Sequence, residues 1–164
     1  MSYIEVEYPR EKPAFYAMLR QQLALYMGQE RDLTARLANA SAVLAQAFPQ
    51  ANWAGFYLVD GEELVLGPFQ GKPAVSRIGW GKGVCGTAWR ERKSQVVEEV
   101  GCFAGHIACD CDTHAEIVIP LWDGDRIWGV LDMDSRTPAC FTQDDRVGLE
   151  EAAALLLPGT GRLP

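Results

Sequence analysis

The chain has 164 residues, enough for one domain with a substantial core, and a net charge of -7 from 15 basic and 22 acidic residues. That balance argues against nucleic acid or an anionic membrane as partner, since either would select a basic face. Met1 to Glu5 lacks the basic start and apolar run of a secretory signal, and no apolar stretch approaches membrane-spanning length. Five cysteines without such a signal point to a reducing, cytoplasmic compartment, where clustered thiols bind metal or carry redox chemistry more often than they form structural bridges.

The first nine residues read as a lightly held start. Phe15, Leu19, Leu23 and Tyr26 recur at helical spacing, which predicts an amphipathic helix over 13–26 with Pro13 in its first turn and Gly28 as its stop. Leu33, Leu37, Ala40, Leu44 and Phe48 predict a second helix that ends at Pro49. Both read as core-packing elements. Residues 52–59 predict a strand, Asp60-Gly61 a hairpin turn and Leu64 to Leu66 the return strand. Gly67-Pro68 punctuates before a third strand near 74–78. Gly79 to Gly83 is a glycine-rich loop without the full phosphate-loop pattern, and residues 84–90 read as a short helix. A short strand covers 95–97.

A long polar segment follows from Glu98 to Ala115, and a loop of that length inside a compact domain usually serves function. Within His106 to Glu116 lie two thiols, two histidines and three carboxylates. No helical or strand period explains the mixture, so the stretch reads as a loop that carries chemistry. Ile117 to Leu121 predicts a buried strand, Asp123-Gly124 a turn, and Arg126 to Ser135 a strand ending in Asp132 and Asp134. A final helix is expected over 142–157, capped by Thr142 or Asp144 and stopped by Pro158 and Gly159. The order predicts an α+β domain spanning 1–164, with an antiparallel sheet of five or six strands and helices packed on one side.

Several stretches together resemble one family. They are Asn52-Trp-Ala-Gly-Phe-Tyr57, Leu64 to Gly71 (LVLGPFQG), Gly83-Val-Cys-Gly-Thr-Ala88, Gly105-His-Ile-Ala-Cys-Asp110, Glu116-Ile-Val and Gly129-Val-Leu-Asp-Met-Asp-Ser135. In this order they are similar to the free methionine-(R)-sulfoxide reductases, small enzymes built on a single GAF domain. The resemblance covers roughly 37–157. It implies a GAF-like fold, reduction of free methionine (R)-sulfoxide without a cofactor, electrons from thioredoxin, and a homodimer, with the first two helices as its expected interface.

Elementary chemistry agrees with that implication. Sulfoxide reduction needs a nucleophile at sulfur and a proton donor at oxygen. A thiolate is the best side-chain nucleophile near neutral pH, and its attack leaves a sulfenic acid that a second thiol can convert to a disulfide. The resemblance places the nucleophile at Cys109, in the Gly-His-Ile-Ala-Cys-Asp motif. It places an acid pair at Glu116 and Asp134, a third carboxylate at Asp132, and an aromatic pocket for the methyl end at Trp53 and Tyr57. The spacing of Trp53 and Tyr57 independently puts them on one face of a strand; two core aromatics would share it.

One departure stands out. Members of the family commonly carry a resolving cysteine where this chain has Val75. Cys85 is retained and takes that expected role, with Cys102 as second choice. Cys111 is too close to Cys109 for an unstrained bridge, and Cys140 reads as structural. Two other classes stay open: zinc held by His106, Cys109, Cys111 and His114, whose spacing is tighter than common structural sites, and a GAF sensor without catalysis.

Overall fold

The computed structural model describes residues 5–105 and 112–157. Its first helix, α1 (Lys12–Met27), carries Pro13 in its first turn and buries Tyr16, Leu19, Leu23 and Met27 along one stripe. Each fully buried leucine of this kind contributes about 1.5–3 kcal/mol. Gly28 ends the helix at φ +48°, a conformation that only glycine adopts readily. Asp32 caps α2 (Leu33–Ala47) by accepting from the Ala35 amide at 2.8 Å. Arg36 on α2 is buried, and its guanidinium donates to the carbonyls of Glu30, Leu155, Leu156 and Leu157. One side chain thereby satisfies the acceptors at the far end of the described chain.

The strands are β1 (Ala51–Asp60), β2 (Glu63–Gly71), β3 (Arg77–Gly79), β4 (Gln95–Val97), β5 (Ala115–Asp123) and β6 (Arg126–Ser135). They form one sheet in the order β3-β2-β1-β6-β5-β4, antiparallel at every step. β2 runs longer than the expected Leu64 to Leu66. Gly67 and Pro68 do not end it; the register to β1 slips there by one residue, so the pair sits in a bulge where proline is tolerated. β3 starts three residues later than expected, beyond Pro73.

Period-two alternation divides the sheet. Ala54, Phe56, Ile117, Ile119, Leu121, Leu131 and Met133 face α1, α2 and the last helix, α4 (Gln143–Ala153), in the larger core. Trp53, Tyr57, Val118 and Val130 face the other way, into a second cluster with Val84, Cys85, Ala88 and Trp89 of α3 (Gly83–Glu91). The α+β expectation with helices on one side therefore holds for three helices, and the short fourth covers the opposite face. Nearly every residue of α3 is buried, so its sequence offers no polar stripe to tell which face it takes.

Thr142 and Asp145 form a reciprocal capping box at the start of α4. The helix stops at Ala153, short of the expected 157. Residues 154–156 tighten into turns with Leu155 and Leu156 bonded back three residues, and the carbonyls that follow go to Arg36. Pro158 and Gly159 lie outside the described residues. Among the described residues no helix is long and apolar enough to cross a membrane.

Candidate active site

The second face of the sheet carries the chemistry. Glu116 on β5 lies directly opposite Asp134 on β6, which in turn lies opposite Trp53 on β1. One row further along, Asp132 lies between Val118 and Gly55. Glu116, Asp132 and Asp134 are thus brought onto one face by register, and all three are buried. α3 lays Cys85 over them, also buried, with its Sγ 4.0 Å from Glu116 Oε1.

Burial of this many acids controls their protonation. Desolvation and then the Asp134 charge push the Glu116 carboxyl well above the ordinary carboxylate range. Desolvation and then Glu116 do the same to Asp132. Cys85 is raised as well, by burial first and then by Asp132 and Glu116, which holds its thiol neutral. The arrangement keeps a proton on a carboxyl inside a dry site, the state a general acid needs. Asp132 Oδ1 has no hydrogen-bond partner among the described residues, while the carboxyl as a whole interacts with Glu116 and the Cys85 thiol.

The aromatic wall is built as the spacing of Trp53 and Tyr57 predicts. Their rings stack with centroids 6.0 Å apart. Trp53 Nε1 donates to the Lys72 carbonyl at 3.1 Å and Tyr57 Oη to the Val75 carbonyl at 3.0 Å. Those bonds tie the β2–β3 connection, with Val75, to the wall. Two participants were not singled out by sequence reasoning although their motifs were. Phe69 stacks on Trp53 at 5.2 Å and 14°. Gly55 makes that stack possible: a Cβ there would sit 2.3 Å from Phe69 Cβ and 2.8 Å from the Trp53 ring. Their signal was the Gly-Phe-Tyr and Pro-Phe-Gln-Gly motifs, yet which strands pair sets the contact.

Cys109 lies outside the described residues, as do His106 and Cys111. The ends of the segment that contains them are fixed. The His114 amide donates to Ser135 O at 2.8 Å, the Val100 amide donates to His114 O at 2.7 Å, and His114 Nδ1 pairs with Glu99 at 2.9 Å. Cys102 is exposed in a single 3-10 turn over Val100–Cys102, and Cys140 is half-buried against the larger core.

A six-stranded antiparallel sheet with an acid-lined face under a short helix is the GAF arrangement, and the GAF domain profile matches residues 32–156. The chain belongs to the GAF domain family. Within that family it is 48% identical to the free methionine-R-sulfoxide reductase of Escherichia coli over 88% of either chain. It is 40% identical to the enzyme of that name from Saccharomyces cerevisiae, over 85% of this chain and 83% of the relative. The free methionine-R-sulfoxide reductase of Neisseria meningitidis, solved in complex with its substrate, superposes with a TM-score of 0.88 at 42% identity and covers 93% of each chain. These relatives support a reductase role.

Proposed function

We propose that this chain, acting as one GAF domain, reduces free L-methionine (R)-S-oxide to methionine. The observation that carries the proposal is the buried row of Glu116, Asp134 and Trp53 with Asp132 beside it, under Cys85. The names of the relatives supply the substrate class.

Cys109 attacks the sulfoxide sulfur as a thiolate. The Glu116 and Asp134 pair protonates the sulfoxide oxygen as the S–S bond forms; the hydroxyl then passes from the methionine sulfur to the Cys109 sulfur while that S–S bond breaks, and the methionine thioether departs. The oxygen stays on Cys109 as a sulfenic acid. Cys85 condenses with it to give a disulfide and water, the Cys85 proton leaving with the oxygen, and thioredoxin returns both thiols by exchange. Asp132, with one oxygen unpartnered among the described residues, receives the substrate ammonium. Trp53 and Tyr57 enclose the methyl end. A reducing, cytoplasmic setting and a homodimer belong to the same proposal.

The test is consumption of racemic free methionine sulfoxide, resolved by epimer, with dithiothreitol and separately with thioredoxin. Loss of the R epimer alone with both reductants is expected. Turnover with dithiothreitol only removes Cys85 from the resolving role. No turnover of either epimer overturns the reductase reading in favour of a sensor.

A further inference from the structure

We propose that Cys85, Glu116 and Asp132 form a three-ligand site for a divalent cation of the zinc and cadmium class, and that its occupancy stops turnover. The second clause rests on the reductase reading; the first does not.

The three groups come from α3, β5 and β6, and one ligand atom of each lies within 4.8 Å of the others. All three residues are buried, so the cluster is a built interior site and no chance gathering of surface acids. Asp132 Oδ1 is buried without a hydrogen-bond partner among the described residues, an acceptor that a cation would satisfy. In a tetrahedral zinc site, bonds of about 2.3 Å to sulfur and about 2.0–2.2 Å to oxygen place ligand atoms about 3.5 Å apart. Cys85 Sγ and Glu116 Oε1 start at 4.0 Å. Small side-chain rotations close the remaining gap, and a fourth position stays open for water.

The donor set selects the metal. One sulfur with two carboxylate oxygens suits zinc or cadmium, whereas magnesium and calcium take oxygen alone. Binding involves no change of oxidation state. The Cys85 S–H bond breaks, sulfur and the carboxylates bond the cation, and the thiol proton leaves to solvent with the proton that the carboxyls retain. A bound cation then occupies the carboxyl that would protonate the sulfoxide and the oxygen that would take the substrate ammonium. Inhibition is therefore competitive with methionine sulfoxide.

The experiment titrates the full chain, reduced with a phosphine and stripped by chelator, with cadmium chloride. The ultraviolet thiolate-to-cadmium charge-transfer band reports sulfur ligation, and elemental analysis reports stoichiometry. One cadmium per chain is expected. C85S removes the band; D132N, which leaves the thiol in place, weakens affinity by about tenfold or more, the least that losing a ligand costs. C109S and C111S keep both band and affinity. Circular dichroism establishes that each variant is folded, and D132N decides the matter if C85S is not. A band that survives C85S, or vanishes in C109S or C111S, puts the cation on the loop thiols and overturns the site. Cadmium binding as expected in a chain that turns over no sulfoxide leaves the site standing and removes the reductase reading. An active chain that holds one zinc and loses no activity overturns the inhibitory clause.

Discussion

Replacing Glu116 by glutamine tests the protonation state on which the site depends. The side chain keeps its size but can no longer ionise. In the unfolded chain a glutamate titrates near about pH 4.3. In the folded chain burial and the Asp134 charge raise that value, with Asp132 and the Cys85 thiol as the other near neighbours. A raised folded value fixes the sign: the stability linked to Glu116 is fully present below the unfolded value and is lost as pH rises toward the folded one. Through that window each proton that the native state retains and the unfolded state has lost costs about 1.4 kcal/mol per pH unit. Above the unfolded value the difference between wild type and E116Q therefore grows with pH, at up to about 1.4 kcal/mol per unit, with E116Q the more stable at the alkaline end. Even one pH unit of that growth is measurable against the roughly 5–15 kcal/mol that holds a domain together. Urea unfolding of both proteins across the range measures it; groups that do not interact with Glu116 cancel in the difference, which reports Glu116 together with its coupled neighbours Asp132, Asp134 and Cys85. Parallel stability curves would refute a buried, proton-retaining Glu116. In the same variant kcat falls by about 10²–10⁴, the usual contribution of a general acid, and no change of pH restores it.

Asp145 carries the opposite sign. Burial pushes its carboxyl up, but hydrogen bonds from Lys12, Tyr16 and Thr142 outweigh that and hold it below its ordinary value. D145N should be less stable than wild type at neutral pH by roughly 1–2 kcal/mol, at the low end because Lys12 is half-exposed, and the gap should close as pH falls through the folded value in thermal melts. G148A would place a Cβ 2.3 Å from Tyr16 Cγ, and unfolding should register about 1–3 kcal/mol of overpacking at the α1–α4 contact. V75C restores a thiol where the family commonly has one, so thioredoxin-driven turnover should rise while the dithiothreitol rate holds. An unchanged thioredoxin rate would mean that recycling through the existing cysteines is not limiting.

α1, α2, α4 and β1 were legible because each has a clear period, and β5 as a continuous apolar run, whereas α3 shows no such stripe. The alternation of Asp132 and Asp134 with Leu131 and Met133 already separates two faces of β6, and Trp53 and Tyr57 share a face as their spacing requires. What the sequence withheld depends on partners far along the chain. That Glu116 meets Asp134 and not its neighbour is a matter of register between β5 and β6. The continuation of β2 through Gly67 and Pro68 depends on a bulge against β1, and the early end of α4 on a guanidinium from α2. Local propensity carries none of these. The resolving role proposed for Cys85 is likewise a question of reach, and the burial of that thiol in a cluster of acids could not be read from the motif around it.

The two-sided sheet has a consequence for how such a protein can change over generations. Residues that alternate along β5 and β6 belong to separate neighbourhoods, one greasy and load-sharing, the other dry and acidic. Side chains on the two faces pack into different clusters, so substitutions that lie well apart on opposite faces should sum nearly independently in their effects on folding. A stabilising change in α1, α2 or α4 beneath the sheet can offset losses incurred above it, at Val118 or Asp132. A lineage can therefore bank stability on one side and explore new ligands on the other without moving a strand.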